Sequence, residues 1–151
     1  MLAVDVTPVG KRGFMSYRFA VTAAITFVLT LFGSALLLPE RGVAVALVLS
    51  VMIAMDAIGM ALILPALARN KVEGLAVTKA VNILSFAPLA ALLPLPWRYL
   101  AGFIPTFWVG ELIYNAPDFP SLGFLFAATL GIGIHLIACG LLFRLQSRRA
   151  G

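Results

Sequence analysis

Charged residues in this chain are confined almost entirely to short gaps between long apolar runs: Phe19–Leu38, Val43–Ala68, Ala80–Leu93 (reaching back towards Leu75) and Ser121–Phe143. A helix rises ~1.5 Å per residue and the hydrocarbon core of a bilayer is ~30 Å thick, so ~20 apolar residues cross it. Only 11% of the residues are charged, against roughly 25% in a soluble domain, and the mean hydropathy is +1.07. The pattern predicts an all-α integral membrane protein. The expected architecture is a four-span transmembrane helical bundle forming a single domain over residues 1–151, with spans at about 19–38, 43–68, 75–95 and 121–143.

The formal net charge is +5, but the basic residues follow the span ends rather than forming one patch, so nucleic acid is excluded as a partner. Lys11, Arg12 and Arg18 precede the first run. Arg69, Lys71 and Lys79 lie between the second and third, and Arg144, Arg148 and Arg149 follow the fourth. Only Arg41 and Arg98 occupy the alternate gaps. Lys and Arg near span ends stay cytoplasmic. Both termini and the middle loop are therefore expected inside, in a multi-pass protein of the plasma (inner) membrane. The first run is too long for a cleavable signal peptide and ends at Pro39-Glu40 without a small-residue cleavage site, so it reads as a retained span. Cys139 is the single cysteine and cannot form an internal disulfide.

Residues 1–18 read as a cytoplasmic segment, with a turn at Thr7-Pro8 and a polar break at Gly10-Lys11-Arg12-Gly13. In the first span Thr22, Thr26, Thr30 and Ser34 recur every four residues and share one face. That face either packs on a neighbour, with hydroxyls bonded back to the helix, or lines a substrate path. Asp56 stands in the middle of the second span among Met52, Met55, Gly59 and Met60. A carboxylate at that depth costs ~2.5–3.5 kcal/mol on insertion scales and should face protein or water. It is a structural tie or part of a transport path. In the last span Ala127, Gly131, His135 and Cys139 share a face at four-residue spacing, the pattern of a close packing seam. Asp56 and His135 form the one conceivable intramembrane acid–base pair. The loop Arg69–Gly74 is the most polar stretch between spans.

The segment Trp97–Asn115 is apolar and aromatic, is broken by Pro105, and carries Arg98 and Glu111 near its ends. A crossing here would put the last three arginines outside. Trp97, Trp108 and their aromatic neighbours favour the headgroup level. We expect an outer helix pair over 97–115, interfacial or re-entrant, with the break buried against the spans because non-helical backbone at depth needs protein cover.

Much chemistry is missing. No G-x-x-x-x-G-K-[ST], H-E-x-x-H or G-x-S-x-G pattern occurs, and one His and one Cys cannot make a usual metal site. No cofactor and no catalytic residue is expected.

Three stretches resemble a known family. Leu2-Ala3-Val4-Asp5-Val6-Thr7-Pro8, with the basic and aromatic residues Lys11–Arg18 behind it, is similar to a cytoplasmic stretch of ABC transporter permeases of the type-2 exporter class. Asn70-Lys71-Val72-Glu73-Gly74-Leu75-Ala76 with Lys79 resembles the inner-loop pattern of their fluoroquinolone-export-like members. Pro94-Leu95-Pro96-Trp97-Arg98-Tyr99-Leu100 through Gly102, Pro105 and Trp108 resembles that group's outer segment. The resemblance implies six spans per subunit, of which this chain matches the last four. It implies a partner ATP-binding subunit contacted through Asp5, Thr7, Pro8, Lys11 and Arg12. It also implies a second permease half, as a homodimer or heterodimer. The expected function is that of a permease subunit in an ATP-driven exporter of amphipathic or lipid-like molecules. The competing readings are a small intramembrane enzyme or proton-coupled carrier using Asp56 and His135, and a non-catalytic membrane assembly partner.

Overall fold

In the computed structural model, which describes residues 10–117 and 119–150 (side chains of 10–12, 149 and 150 excepted), the described residues are helical and form no strand. Helix α1 runs Gly10–Leu37 and α2 runs Gly42–Leu67, joined by a 3-10 turn at Pro39–Arg41. Helix α3 covers Lys71–Leu84, α4 covers Pro105–Tyr114 and α5 covers Leu122–Ala150. Two 3-10 segments, Ala87–Leu92 and Trp97–Ala101, connect α3 to α4. Four stretches are long and apolar enough to cross a membrane: Gly13–Leu37, Pro39–Leu67, Lys71–Leu92 and Leu122–Arg148. The chain is a multi-pass, all-helical membrane protein.

Three boundaries differ from the sequence expectation, each for a local reason. The predicted break at Gly10–Gly13 is helical and belongs to α1. One or two glycines cost a helix only about 1 kcal/mol each, and Arg18 lies over the Phe14 ring one turn earlier, 5.9 Å from its centroid. The polar loop after α2 is shorter than predicted, because α3 begins at Lys71. Glu73 N–H donates to Asn70 Oδ1 at 2.9 Å, and Glu73 Oε2 accepts from Arg69 N–H at 2.8 Å. That is a capping box in variant form: Asn70 caps the Glu73 N–H, and Glu73 reaches back one residue beyond the cap, to Arg69, and to the Asn70 side chain.

The third span is also not one α-helix. It changes to 3-10 geometry after Leu84. Pro88 has no N–H to give the Leu84 carbonyl four residues back. The Thr106 hydroxyl supplies that bond instead, at 3.3 Å. Asn115 Nδ2 likewise donates to the Ala91 carbonyl at 2.7 Å. Side chains of α4 thus complete the backbone of the broken span, as lipid-embedded backbone requires.

The core lies around α4. Every residue from Thr106 to Leu112 is buried, which is the signature of an element enclosed on all sides. Phe107, Trp108 and Leu112 meet Val45, Leu49 and Met52 of α2, Phe124, Ala127 and Ala128 of α5, and Ala87 and Ala91 of the 3-10 segment. Ten residues rise about 15 Å, half the hydrocarbon thickness, so α4 does not cross. The helix pair was expected to lie in the interface or to dip in and return; its second member is a wedge inserted between α2 and α5. Helices α1 and α3 contribute no buried residue among those described. Both pack against α2 and present the rest of their apolar surface outward.

Candidate functional site

Two polar clusters lie within this apolar bundle, and they differ in how completely their atoms are paired. The first ties the outer segment together. Glu111 on α4 is 5% exposed. Its Oε1 lies 3.1 Å from Arg98 Nη2 and accepts from the Tyr99 hydroxyl at 3.2 Å, while Oε2 accepts from Asn115 Nδ2 at 3.0 Å. Arg98 Nη2 also donates to the Tyr99 oxygen at 3.3 Å, and its Nε is buried without a partner. Trp108 Nε1–H donates to the Gly102 carbonyl at 2.7 Å and turns the chain into α4. Trp97 stays largely exposed, as an interfacial aromatic should. At the far end Arg41 Nη2 donates to the carbonyls of Leu112, Ile113 and Ala116 at 2.9–3.0 Å. A guanidinium there caps the C-terminal end of α4 and complements its dipole. The sequence reading counted Arg41 and Arg98 only as exceptions to the charge rule. Their role depends on carbonyls and a carboxylate far along the chain, which no local pattern shows.

The second cluster is the Asp56–His135 pair, which the fold brings together. Helices α2 and α5 approach closely along the predicted seam. A Cβ added at Gly131 would stand 2.7 Å from Met52 Cε and 2.9 Å from Trp108 Cβ, so only glycine allows this contact. One turn on, His135 is 1% exposed. Its Nδ1 lies 2.7 Å from the Gly131 carbonyl oxygen. A carbonyl only accepts, so Nδ1 carries the hydrogen and donates it. Nε2 then lies 3.2 Å from Asp56 Oδ1. The approach is off the direction of a formed hydrogen bond, and Nε2 has no other partner. A further turn on, the Cys139 thiol donates to the Met55 carbonyl at 3.5 Å.

These residues line a cleft of about 120 Å³ between α2 and α5. Met55, Met60, Ile63 and Leu142 form apolar walls, Leu84 closes one side, and Ile104, Pro105 and Thr106 bring the α4 entry to another. Pro105 itself is half-buried on the wall of this cleft. Thr26 and Thr30 are half-buried on α1 and are not among the cleft-lining residues. Asp5, Thr7 and Pro8 lie outside the described residues. Lys11 and Arg12 fall in the first turns of α1 by backbone, with their side chains outside that description. Among the described residues no group of three or more potential ligands could hold a metal ion.

The model of the family "Fluoroquinolones export permease protein Rv2686c-like" matches residues 1–143. The chain belongs to this family. Two relatives in the fluoroquinolone export permease group, Rv2686c from Mycobacterium tuberculosis strain ATCC 25618 / H37Rv and MT2760 from strain CDC 1551 / Oshkosh, are each 30% identical over 128 residues. Each match covers 78% of this chain and 48% of the relative, so the chain spans about half the length of the relatives it matches. No solved structure matches it. Within the fluoroquinolone export permease frame, the Asn70–Lys79 motif is the capping box and first turns of α3. The Pro94–Trp108 motif is the turn and the Trp108–Gly102 bond that seat α4.

Proposed function

We propose that the chain is a permease subunit of an ATP-driven exporter of the ABC type, moving amphipathic small molecules or lipid-like substrates. The observation that carries the reading is membership of the fluoroquinolone export permease family across residues 1–143, joined to a sequence with no nucleotide-binding pattern of its own. Hydrolysis then belongs to a separate ATP-binding subunit, and this chain supplies the path. A second permease half, identical or not, completes the pathway in the plasma membrane, with lipid around both. Both termini face the cytoplasm.

Coupling runs through the N-terminal segment. Asp5, Thr7, Pro8, Lys11 and Arg12 form the contact with the ATP-binding subunit. Helix α1 supports this reading, since it continues unbroken from Gly10 to Leu37. A displacement at its cytoplasmic end travels along one rigid rod to α2, against which α1 packs. Such a push shifts the bundle only if the partner contacts it differently in two states.

The test is substrate-stimulated ATPase activity of the chain assembled with an ATP-binding subunit and a second permease half in proteoliposomes. A Thr7→Ala, Pro8→Ala double variant should insert normally and lose stimulation. Unaltered stimulation would remove coupling from this segment. Failure of any ATP-binding subunit to co-purify would leave the chain an assembly partner.

A further inference from the structure

We infer that the α2–α5 cleft is a binding site for the protonated amine of an amphipathic ligand, which takes the place of a proton held between Asp56 and His135. The argument begins with the tautomer. The Gly131 carbonyl fixes the ring hydrogen on Nδ1. In the neutral ring Nε2 is then a bare lone pair, and it stands 3.2 Å from a carboxylate oxygen. Two acceptors at that distance repel. One proton placed between them, on either atom, converts the contact into a neutral acid–imidazole pair or an ion pair. With that proton gone, the pair is a two-acceptor cradle carrying one negative charge.

The N–H of a cation fits that cradle. His135 is 1% exposed and Nε2 has no hydrogen-bond partner, so the ring holds an unused acceptor in the wall of the cleft, which a ligand reaches when the flexible methionine side chains of that wall give way. The remaining wall is mostly methionine and aliphatic carbon. A volume of about 120 Å³ approaches the roughly 150 Å³ cavity that accepts benzene. It takes an ammonium with a short alkyl or ring body and leaves a larger apolar part outside. No lysine or arginine lines the cleft to neutralise Asp56. Cys139 on α5 is the one other titratable residue there, and the α3 end and α4 entry bring Leu84, Ile104, Pro105 and Thr106. Binding is written with its proton: the protonated pair and R–NH3+ give the pair·R–NH3+ complex and one H+ released to water. Charge and atoms balance, and no bond other than N–H or O–H changes.

Binding does not depend on the exporter reading, although the substrate class it gives that exporter does. The probe is monodansylcadaverine, a pentylammonium carrying an apolar fluorophore, titrated into the chain in phosphatidylcholine nanodiscs between pH 5 and 9. Affinity should rise with pH by up to roughly tenfold per unit while the pair holds its proton, the slope for one proton displaced by one ligand. The N-acetylated, uncharged probe should bind at least tenfold more weakly. Asp56→Asn should abolish specific binding, and His135→Gln should weaken binding and flatten the pH profile. Equal binding of the acetylated probe, or a flat profile in the unmodified chain, would overturn the inference without relying on any variant to fold. A chain that binds the amine but never stimulates an ATP-binding subunit would refute the exporter reading and leave this site standing. ATP-driven transport of the amine undiminished in Asp56→Asn would refute the site and leave the exporter.

Discussion

Replacing Gly110 with alanine tests the packing on which the whole bundle is built. Gly110 lies on the face of α4 that meets the 3-10 segment Ala87–Leu92. A Cβ there would fall on the Pro88 carbonyl oxygen and stand 2.8 Å from both Pro88 C and Cα. Ordinary contact begins near 3.4 Å, so α4 must retreat by at least ~0.6 Å from main chain that has no flexible end to yield. Two bonds cross the same interface, Asn115 Nδ2 to Ala91 O at 2.7 Å and Thr106 Oγ1 to Leu84 O at 3.3 Å. The second is already long and would be lost first. Overpacking costs ~1–3 kcal/mol, with the upper end expected against backbone. A lost buried hydrogen bond adds ~1 kcal/mol. The better helix propensity of alanine returns ~1 kcal/mol. The net is a destabilisation of about 3 kcal/mol, or roughly 6–12 °C by the scaling for chains of this size. Cys139, half-buried and the single cysteine, is a built-in reporter. A thiol-reactive dye that fluoresces on conjugation follows unfolding in detergent. Gly133→Ala is the control, since nothing lies within 4 Å of its Cβ position; it should melt at or slightly above the parent. If Gly110→Ala melted with the control, the close approach of α4 to Pro88 would be wrong.

Other substitutions separate the roles of the polar groups. Glu111→Leu should cost ~2–3 kcal/mol by leaving the half-buried Arg98 without its carboxylate, and Glu111→Gln distinctly less, as measured by the same thiol melt. Arg41→Met should lower stability by ~2 kcal/mol through loss of charge-assisted bonds to the end of α4; Arg41→Lys, which lacks the planar fork, should recover only part. Thr106→Val keeps the shape and leaves the Leu84 carbonyl unserved, for ~1–3 kcal/mol. In a Cys139→Ala background, a cysteine at Glu40 should react with an impermeant maleimide from outside intact cells and one at Lys71 only after permeabilisation; outside labelling at 71 would overturn the orientation.

What the sequence made legible follows from the range of the interaction involved. The spans are written in hydropathy, a property of each residue in lipid, and they fall where the apolar runs are. The seam Ala127–Gly131–His135–Cys139 is periodic along one helix, and it packs as the spacing implied. The start of α3 was also readable, because Asn70 and Glu73 hold capping-box spacing; the polarity of that stretch concealed it. The change to 3-10 after Leu84 needs two facts together: that Pro88 withholds a donor, and that Thr106, eighteen residues on from it, arrives to replace it. Arg41 on the Leu112 and Ala116 carbonyls and His135 against Asp56 are contacts between segments more than seventy residues apart. One-dimensional pattern gives no sign of the first, and of the second it gives the two candidate residues but not that they meet.

The contrast between the two polar clusters bears most directly on function. A buried network whose members are satisfied fixes one arrangement, because any movement leaves costly unpaired groups behind. The Arg41 cap is of that kind, and the Glu111 network comes close to it, with both carboxylate oxygens paired and Arg98 Nε left as a buried atom without a partner. They lock α4, its preceding turn and the N-terminal end of α2 into a unit. The Asp56–His135 pair shares its cleft with the α4 entry and is built the other way. One ring nitrogen is anchored to backbone, the other is left with a carboxylate at 3.2 Å and no hydrogen bond, and both residues belong to the wall of the cleft. Such a pair gains from a proton or a donor that arrives, because without one it holds two buried acceptors that repel. Placing the unsatisfied cluster between the two most buried spans, beside a locked wedge, confines exchange to the cleft. If α1 transmits a push to α2, the distance between Asp56 on α2 and His135 on α5 is the polar contact that the push would change first.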